Sequence, residues 1–242
     1  MVMLLLAIAC GSRESAPKSA ASATVESTGA AAASASTPAA ASNGGTGAVS
    51  TPASRKRIVL LGTSLTAGLG LDPDKAYPAL LQRKADSAGF PITIVNAGLS
   101  GETSAGALRR AAWVLDQPAA AVMLEVGAND GLRGVDPDST QANIIALIKR
   151  VQHDQPAAKV LLVQMEAPTN FGRTYTTKFH LAYVNAARET KVPLLPFLLD
   201  GVAGVAKLNQ ADGIHPNIDG SVIVASTMWK ALLPTFTEIT GK

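Results

Sequence analysis

The sequence predicts an α/β fold: a flavodoxin-like, doubly wound three-layer α/β/α arrangement around a five-stranded parallel sheet. Two observations carry this expectation. Five short runs rich in Val, Ile and Leu, at 58–61, 92–95, 121–126, 160–165 and 192–195, read as strands buried on both faces. Longer stretches with helical spacing alternate with them in regular order. The length of 55–242 supports the same picture, since it suffices for one well-cored domain and is short for two.

Each helix has its own signal. The first is expected over 76–88, with Pro78 tolerated in its first turn. The second covers 103–115. The third covers 139–151 and lines up Ile144, Ile145, Leu147, Ile148 and Val151 on one stripe. The last two cover 178–189 and 220–233.

Residues 11–54 are of a different kind. They are almost entirely Ala, Ser, Thr, Gly and Pro, with no aromatic residue and few large aliphatics. Such a segment buries too little apolar surface to offset its ordering entropy, so it reads as a disordered linker. Ahead of it, an apolar stretch of nine residues runs straight into Cys10, the single cysteine of the chain. The stretch is too short to span a bilayer as a helix and suits the apolar region of a signal peptide. The boundary Ala7-Ile8-Ala9-Cys10 resembles a bacterial lipobox, in which the Cys becomes the lipidated first residue. The expectation is a lipid anchor on Cys10 and a tethered domain in the cell envelope, periplasmic or on the outer membrane. An ordinary signal peptide with an incidental Cys is the alternative. With no other Cys, the domain holds no internal disulfide.

Charge excludes one class of partner. Arg13, Lys18, Glu14 and Glu26 cancel within the first 54 residues, so the domain carries the whole net charge of +3. That is mild, and no basic run with interleaved aromatics occurs, so no nucleic-acid role is expected.

In open α/β sheets, ligands bind beyond the carboxyl ends of the strands. The chemistry-bearing residues fall there. Gly62-Thr63-Ser64-Leu65-Thr66 follows the first strand, and Asn96 to Thr103 the second. Gly127-Ala128-Asn129-Asp130-Gly131 follows the third, 167–172 the fourth, and Ala211-Asp212-Gly213-Ile214-His215-Pro216 lies beyond the fifth. Ser64 alone fits a helix N-cap equally well. It lacks the Gly two positions on that an α/β-hydrolase elbow has, and no Gly-Lys pair makes it a phosphate loop.

Of the three histidines, His153 sits in a polar stretch and His180 inside a helix, whereas His215 lies in a loop three residues after Asp212. An acid at that spacing reaches one imidazole nitrogen and fixes the tautomer, leaving the other to take a proton from Ser64. Gly101 and Asn129 suit an oxyanion site together with the Ser64 N–H, because acyl transfer needs preorganised N–H donors aimed at the developing charge. Each of these residues also has a plain turn or cap explanation. Their joint placement at successive strand ends favours chemistry.

The four blocks resemble the SGNH (GDSL-type) hydrolase superfamily, along nearly all of 57–242. The stretches VNAGLSGETSAG, GANDGLRG and NQADGIHPN are similar to its arylesterase branch, which includes periplasmic thioesterase/lysophospholipases. The resemblance implies a nucleophile at Ser64, oxyanion donors at Ser64, Gly101 and Asn129, and the pair Asp212–His215. It implies a serine esterase acting on carboxylic, aryl or thio esters of short to medium acyl chains, with lysophospholipase activity within its range. A deacetylase of envelope polysaccharide is one alternative, and a degenerate binding module another. The first block departs from the family at Thr63, where Asp is usual.

No metal or other cofactor is expected, since no His-x-x-x-His or Cys cluster occurs. The partners expected are a small-molecule or lipid ester as substrate and the membrane through Cys10. The loop from Pro168 to Tyr175 is expected to border the substrate. Phe171 and Tyr175 serve there either as acyl contacts or as packing. Asp130 and Arg133 are expected to brace the third loop.

Overall fold

The computed structural model describes residues 55–242. Cys10 and the stretch 11–54 lie outside the described residues. The sheet contains β1 (Lys56–Gly62), β2 (Ile92–Gly98), β3 (Ala121–Glu125), β4 (Lys159–Val163) and β5 (Leu194–Leu195). All pairings are parallel, in the order β2-β1-β3-β4-β5. The order reverses between β1 and β3, so the doubly wound expectation holds. Ile58 to Leu61 of β1 are fully buried, and β3 is buried throughout, as strands covered on both faces require.

Seven α-helices are described: α1 (Ser64–Ala67), α2 (Tyr77–Ser87), α3 (Ser104–Val114), α4 (Ala128–Leu132), α5 (Pro137–Asp154), α6 (Gly172–Thr190) and α7 (Ile218–Thr240). α2 packs against α7, and α5 packs against both α3 and α6. Together these helices give the layers that flank the sheet. Leu81 and Ala85 of α2, Ile144, Leu147, Ile148 and Val151 of α5, and Val224, Met228 and Leu232 of α7 are buried in one core with the sheet. None of the described helices is long and apolar enough to cross a membrane.

Two short helices were not expected, and two helix ends differ from expectation, each for a physical reason. The helices α1 and α4 have four and five residues, too few to carry a helical period. The α6 helix starts at Gly172, several residues early, because polar Arg173, Thr174, Thr176 and Thr177 mask its apolar stripe. The α7 helix runs on to Thr240 through Pro234, past the expected stop at 233. Leu232 and Phe236 are fully buried on either side of that proline, and this burial offsets the lost backbone hydrogen bond.

Candidate active site

β1 is an inner strand flanked by β2 and β3, so its carboxyl end opens where the strand order reverses. Ser64 sits there as the first residue of α1, with Thr63 as N-cap. The turn is tight. A Cβ at Gly62 would come within 2.1 Å of the Thr66 hydroxyl and 2.7 Å of a Glu125 carboxylate oxygen, so only glycine fits. Gly68 at the end of α1 adopts a left-handed φ of 76° and stops the helix after one turn.

The Ser64 Oγ lies 2.8 Å from His215 Nε2. The other ring nitrogen, Nδ1, lies 2.6 Å from Asp212 Oδ2. Asp212 also accepts the backbone N–H groups of Ile214 (2.9 Å) and His215 (3.0 Å) on Oδ1. These hydrogen bonds hold its carboxyl well down, at about 2, with the His215 N–H the largest cause and the His215 ring next. An Asp fixed as an anion holds imidazole Nδ1 as the donor, which leaves Nε2 free to accept from the serine.

The loop that carries this pair is itself pinned. Asn209 and Pro216 form an antiparallel bridge, and the Gln210 amide donates to the carbonyls of Leu69 (2.7 Å) and Pro216 (2.9 Å). Gln210 thus ties the histidine loop to the segment after α1. Sequence reasoning missed it, because a lone Gln in a polar loop carries no distinctive signal.

Gly101 follows β2 with a φ of 78°, a conformation that a side chain at this position would strain. Arg133 Nη2 donates to its carbonyl at 3.0 Å. Among the described residues, the N–H groups of Ser64 and Gly101 have no protein acceptor. Asn129, on α4, spends one amide hydrogen on the Glu102 carbonyl at 2.9 Å and has a second to give. The structure therefore brings Ser64, His215 and Asp212 into one hydrogen-bonded line. Gly101 and Asn129 are joined to each other through the Glu102 backbone.

Asp130 clamps the second loop to the third. It accepts the Ser104 N–H at 2.8 Å and the Ser104 hydroxyl at 2.6 Å. The bracing expected of Asp130 and Arg133 is what the geometry gives.

Beneath the turn lies a carboxylate that sequence reasoning overlooked. Glu125 ends β3 directly opposite Gly62 and is fully buried. Its oxygens accept the Thr63 N–H (2.8 Å), the Thr63 hydroxyl (3.0 Å) and the Thr66 hydroxyl (2.8 Å). The Thr66 hydroxyl has given its only proton to Glu125, so Tyr77 donates to it at 2.7 Å. Burial pushes the Glu125 carboxyl up to about 7, and the hydrogen bonds from both threonines oppose that rise. Thr63, where the SGNH pattern has Asp, is thus a donor to a buried carboxylate. The one available signal was a Glu closing an otherwise apolar strand.

A cleft of about 530 Å3 opens beside this line, with Leu65, Ala128, Leu132, Met165, Pro168, Phe197, Leu199 and Ile214 among its walls. Leu65, Ala128 and Ile214 are the chain neighbours of Ser64, Asn129 and His215, while Ser64 and His215 themselves line a smaller pocket with Leu69, Leu198 and Pro216 that shares Leu65 and Leu199 with the cleft. Pro168 is among the lining residues of the cleft. Phe171 and Tyr175 pack against one another with ring centroids 5.0 Å apart and planes tilted by 38°, and the Tyr175 hydroxyl donates to the Val135 carbonyl at 2.7 Å. Of the remaining histidines, His153 is exposed and His180 pairs with Glu166 on the surface. No cluster of candidate metal ligands occurs among the described residues.

Comparison with known proteins places the chain among acyl-ester hydrolases. Residues 60–223 match the GDSL-like Lipase/Acylhydrolase family. Esterase TesA of Pseudomonas aeruginosa is 38% identical over 183 residues, which is 75% of this chain and 90% of that protein. Thioesterase 1/protease 1/lysophospholipase L1 of Escherichia coli K12 is 38% identical over 75% of this chain and 86% of its own. The arylesterase of Vibrio mimicus is 32% identical, over 77% of this chain and 92% of that protein. Among solved structures, the psychrotrophic esterase EstA from Pseudoalteromonas sp. superposes with a TM-score of 0.71 at 34% identity, covering 75% of this chain and 99% of that one. A family match over most of the domain, relatives of this identity and a shared fold lead to one conclusion: the chain belongs to the GDSL-like lipase/acylhydrolase family.

Proposed function

We propose that this chain is a serine esterase that hydrolyses carboxylic esters, aryl and thio esters included, of short to medium acyl chains. The observation that carries the reading is the line from Asp212 through His215 to Ser64, with separations of 2.6 and 2.8 Å. Ser64 Oγ attacks the carbonyl carbon while His215 Nε2 takes its proton. The imidazolium, stabilised by Asp212, then protonates the leaving group. The N–H groups of Ser64 and Gly101 and the free amide hydrogen of Asn129 receive the oxyanion. Water, activated by the same His215, attacks the acyl-serine and releases the acid. The apolar cleft beside Ser64 suits the acyl chain, with Pro168 on its wall. The names borne by the relatives, esterase, thioesterase, lysophospholipase and arylesterase, support the same substrate class.

The proposal includes a location in the bacterial cell envelope, with a lipid anchor on Cys10. Incorporation of labelled palmitate that disappears in Cys10→Ser tests the anchor. The chemistry is tested by p-nitrophenyl ester hydrolysis across acyl lengths, with Ser64→Ala in parallel. That substitution is expected to lower kcat by roughly 10^4- to 10^6-fold. Undiminished turnover in the variant would end the reading.

A further inference from the structure

Arg110 lies on α3, a helix that contributes none of the residues assigned above to the triad or to the oxyanion. Its Nε donates to Glu102 Oε1 and its Nη2 to Glu102 Oε2, both at 2.6 Å. The same Nη2 reaches the carbonyl of Ala97 at 2.8 Å and of Gly62 at 3.2 Å. One guanidinium thus joins the last residue of β1, the end of β2 and the residue after Gly101. The side chains are 3% exposed for Glu102 and 16% for Arg110.

A buried ion pair contributes little net stability over a well-packed apolar pair, because both charges lose their water. What this pair supplies is geometry. Each proposed oxyanion donor is tied to it through the backbone. Gly62 stands two residues before Ser64, Glu102 directly follows Gly101, and the Glu102 carbonyl holds the Asn129 amide at 2.9 Å. A lysine offers a single point of charge and lacks the fork that spans these acceptors.

We propose that Arg110, through Glu102, is a positioning residue that holds the Ser64, Gly101 and Asn129 donors in register around the oxyanion. This rests on the reading of Ser64 as nucleophile. Because Arg110 touches neither substrate nor the reacting atoms, its removal moves the donors without removing any of them. Displacements of this kind cost about 100-fold in the chemical step.

The test is steady-state kinetics on p-nitrophenyl esters for Arg110→Ala, Arg110→Lys and Glu102→Gln, with Ser64→Ala alongside and melting temperature recorded for each. Arg110→Ala is expected to lose about 100-fold in kcat with KM and the pH profile little changed. Added methylguanidinium is expected to restore part of that loss, and Arg110→Lys to fall between wild type and Arg110→Ala. A folded Arg110→Ala protein with wild-type kcat, or with its whole loss in KM, overturns the proposal. If Arg110→Ala does not fold, Glu102→Gln decides. It keeps the Glu102 carbonyl and the side-chain volume while breaking the charge pair, and wild-type kcat in that variant is equally fatal. Should Ser64→Ala turn over like wild type, the function reading itself has failed. If it is silent while the Arg110 and Glu102 variants are fully active, only the positioning role has failed.

Discussion

Glu102 and Glu125 are both carboxylates taken out of water beside the turn that carries Ser64, and they are accommodated by opposite means. Glu102 faces a guanidinium that grips both of its oxygens. Among the described residues Glu125 has no cation within salt-bridge distance, and it is held by two threonine hydroxyls and one backbone N–H. A full positive charge compensates burial almost independently of small movements. Hydroxyls and an N–H do so only while each points at the carboxylate. The ion pair therefore tolerates disturbance in the second loop, whereas the elbow around Glu125 depends on every donor. Burial pushes the Glu125 carboxyl up to about 7, and the threonine hydrogen bonds only partly oppose that rise.

The sharpest way to break this comparison is to remove the cation. Arg110→Met leaves Glu102 buried without a counter-charge and is expected to cost about 3–5 kcal/mol of stability in urea unfolding. The double variant Glu102→Leu/Arg110→Met is expected to regain most of that, since no isolated charge remains. A double variant as unstable as the single would mean that packing, not charge, holds the second loop.

On the Glu125 side the effects are smaller. Thr66→Val withdraws one donor from the carboxylate and deprives the Tyr77 hydroxyl of its acceptor, at a cost of about 1–3 kcal/mol in the same assay. Thr63→Val removes one hydroxyl but keeps the backbone N–H at 2.8 Å, so about 1 kcal/mol is expected. Equal losses at both positions would mean that the backbone donor counts for little.

A pH experiment gives the finest resolution. Burial raises the Glu125 carboxyl from 4.5 to about 7, so between those values the folded chain holds a proton that the unfolded chain has released. Stability from this group is complete below about pH 4.5 and declines as pH climbs to about 7. Glu125→Gln is expected to flatten that segment of the stability–pH curve. The depressed Asp212 carboxyl acts in the other direction, losing its contribution as pH falls from 3.8 toward about 2, and Glu125→Gln leaves that arm in place.

The sheet was legible because buried parallel strands leave long β-branched runs, and four of the five expected runs overlap strands of five or more residues. The fifth shrinks to Leu194–Leu195, because only two residues there reach β4 for pairing. Ser64, Asp212 and His215 drew attention as a set, because they fall beyond strand ends in short blocks that resemble the SGNH pattern, and no one of them stands out alone. The supporting charges were not. Arg110 beside Arg109 within the expected helix 103–115 gives no local signal of burial, and Glu125 falls inside the run 121–126 that reads whole as a strand. What places both inside is the crossing of segments distant in sequence, such as Arg110 reaching Gly62. No local pattern encodes that.

In the proposed mechanism Asp212 and His215 share one short loop that leads directly into α7, whereas Ser64 belongs to the first strand–turn–helix unit of the domain. The two halves of the reaction are therefore inherited on separate pieces of chain. The tail piece, from Asn209 onward, carries its own internal order in the form of the 209–216 bridge, the carboxylate turn and the Asn217 cap. The piece is joined to the rest of the domain through Gln210 and the packing of α7 on α2. A chimera that exchanges it with a relative's exchanges the proton-handling half of the enzyme in one graft, while the elbow and the oxyanion loops stay with the recipient.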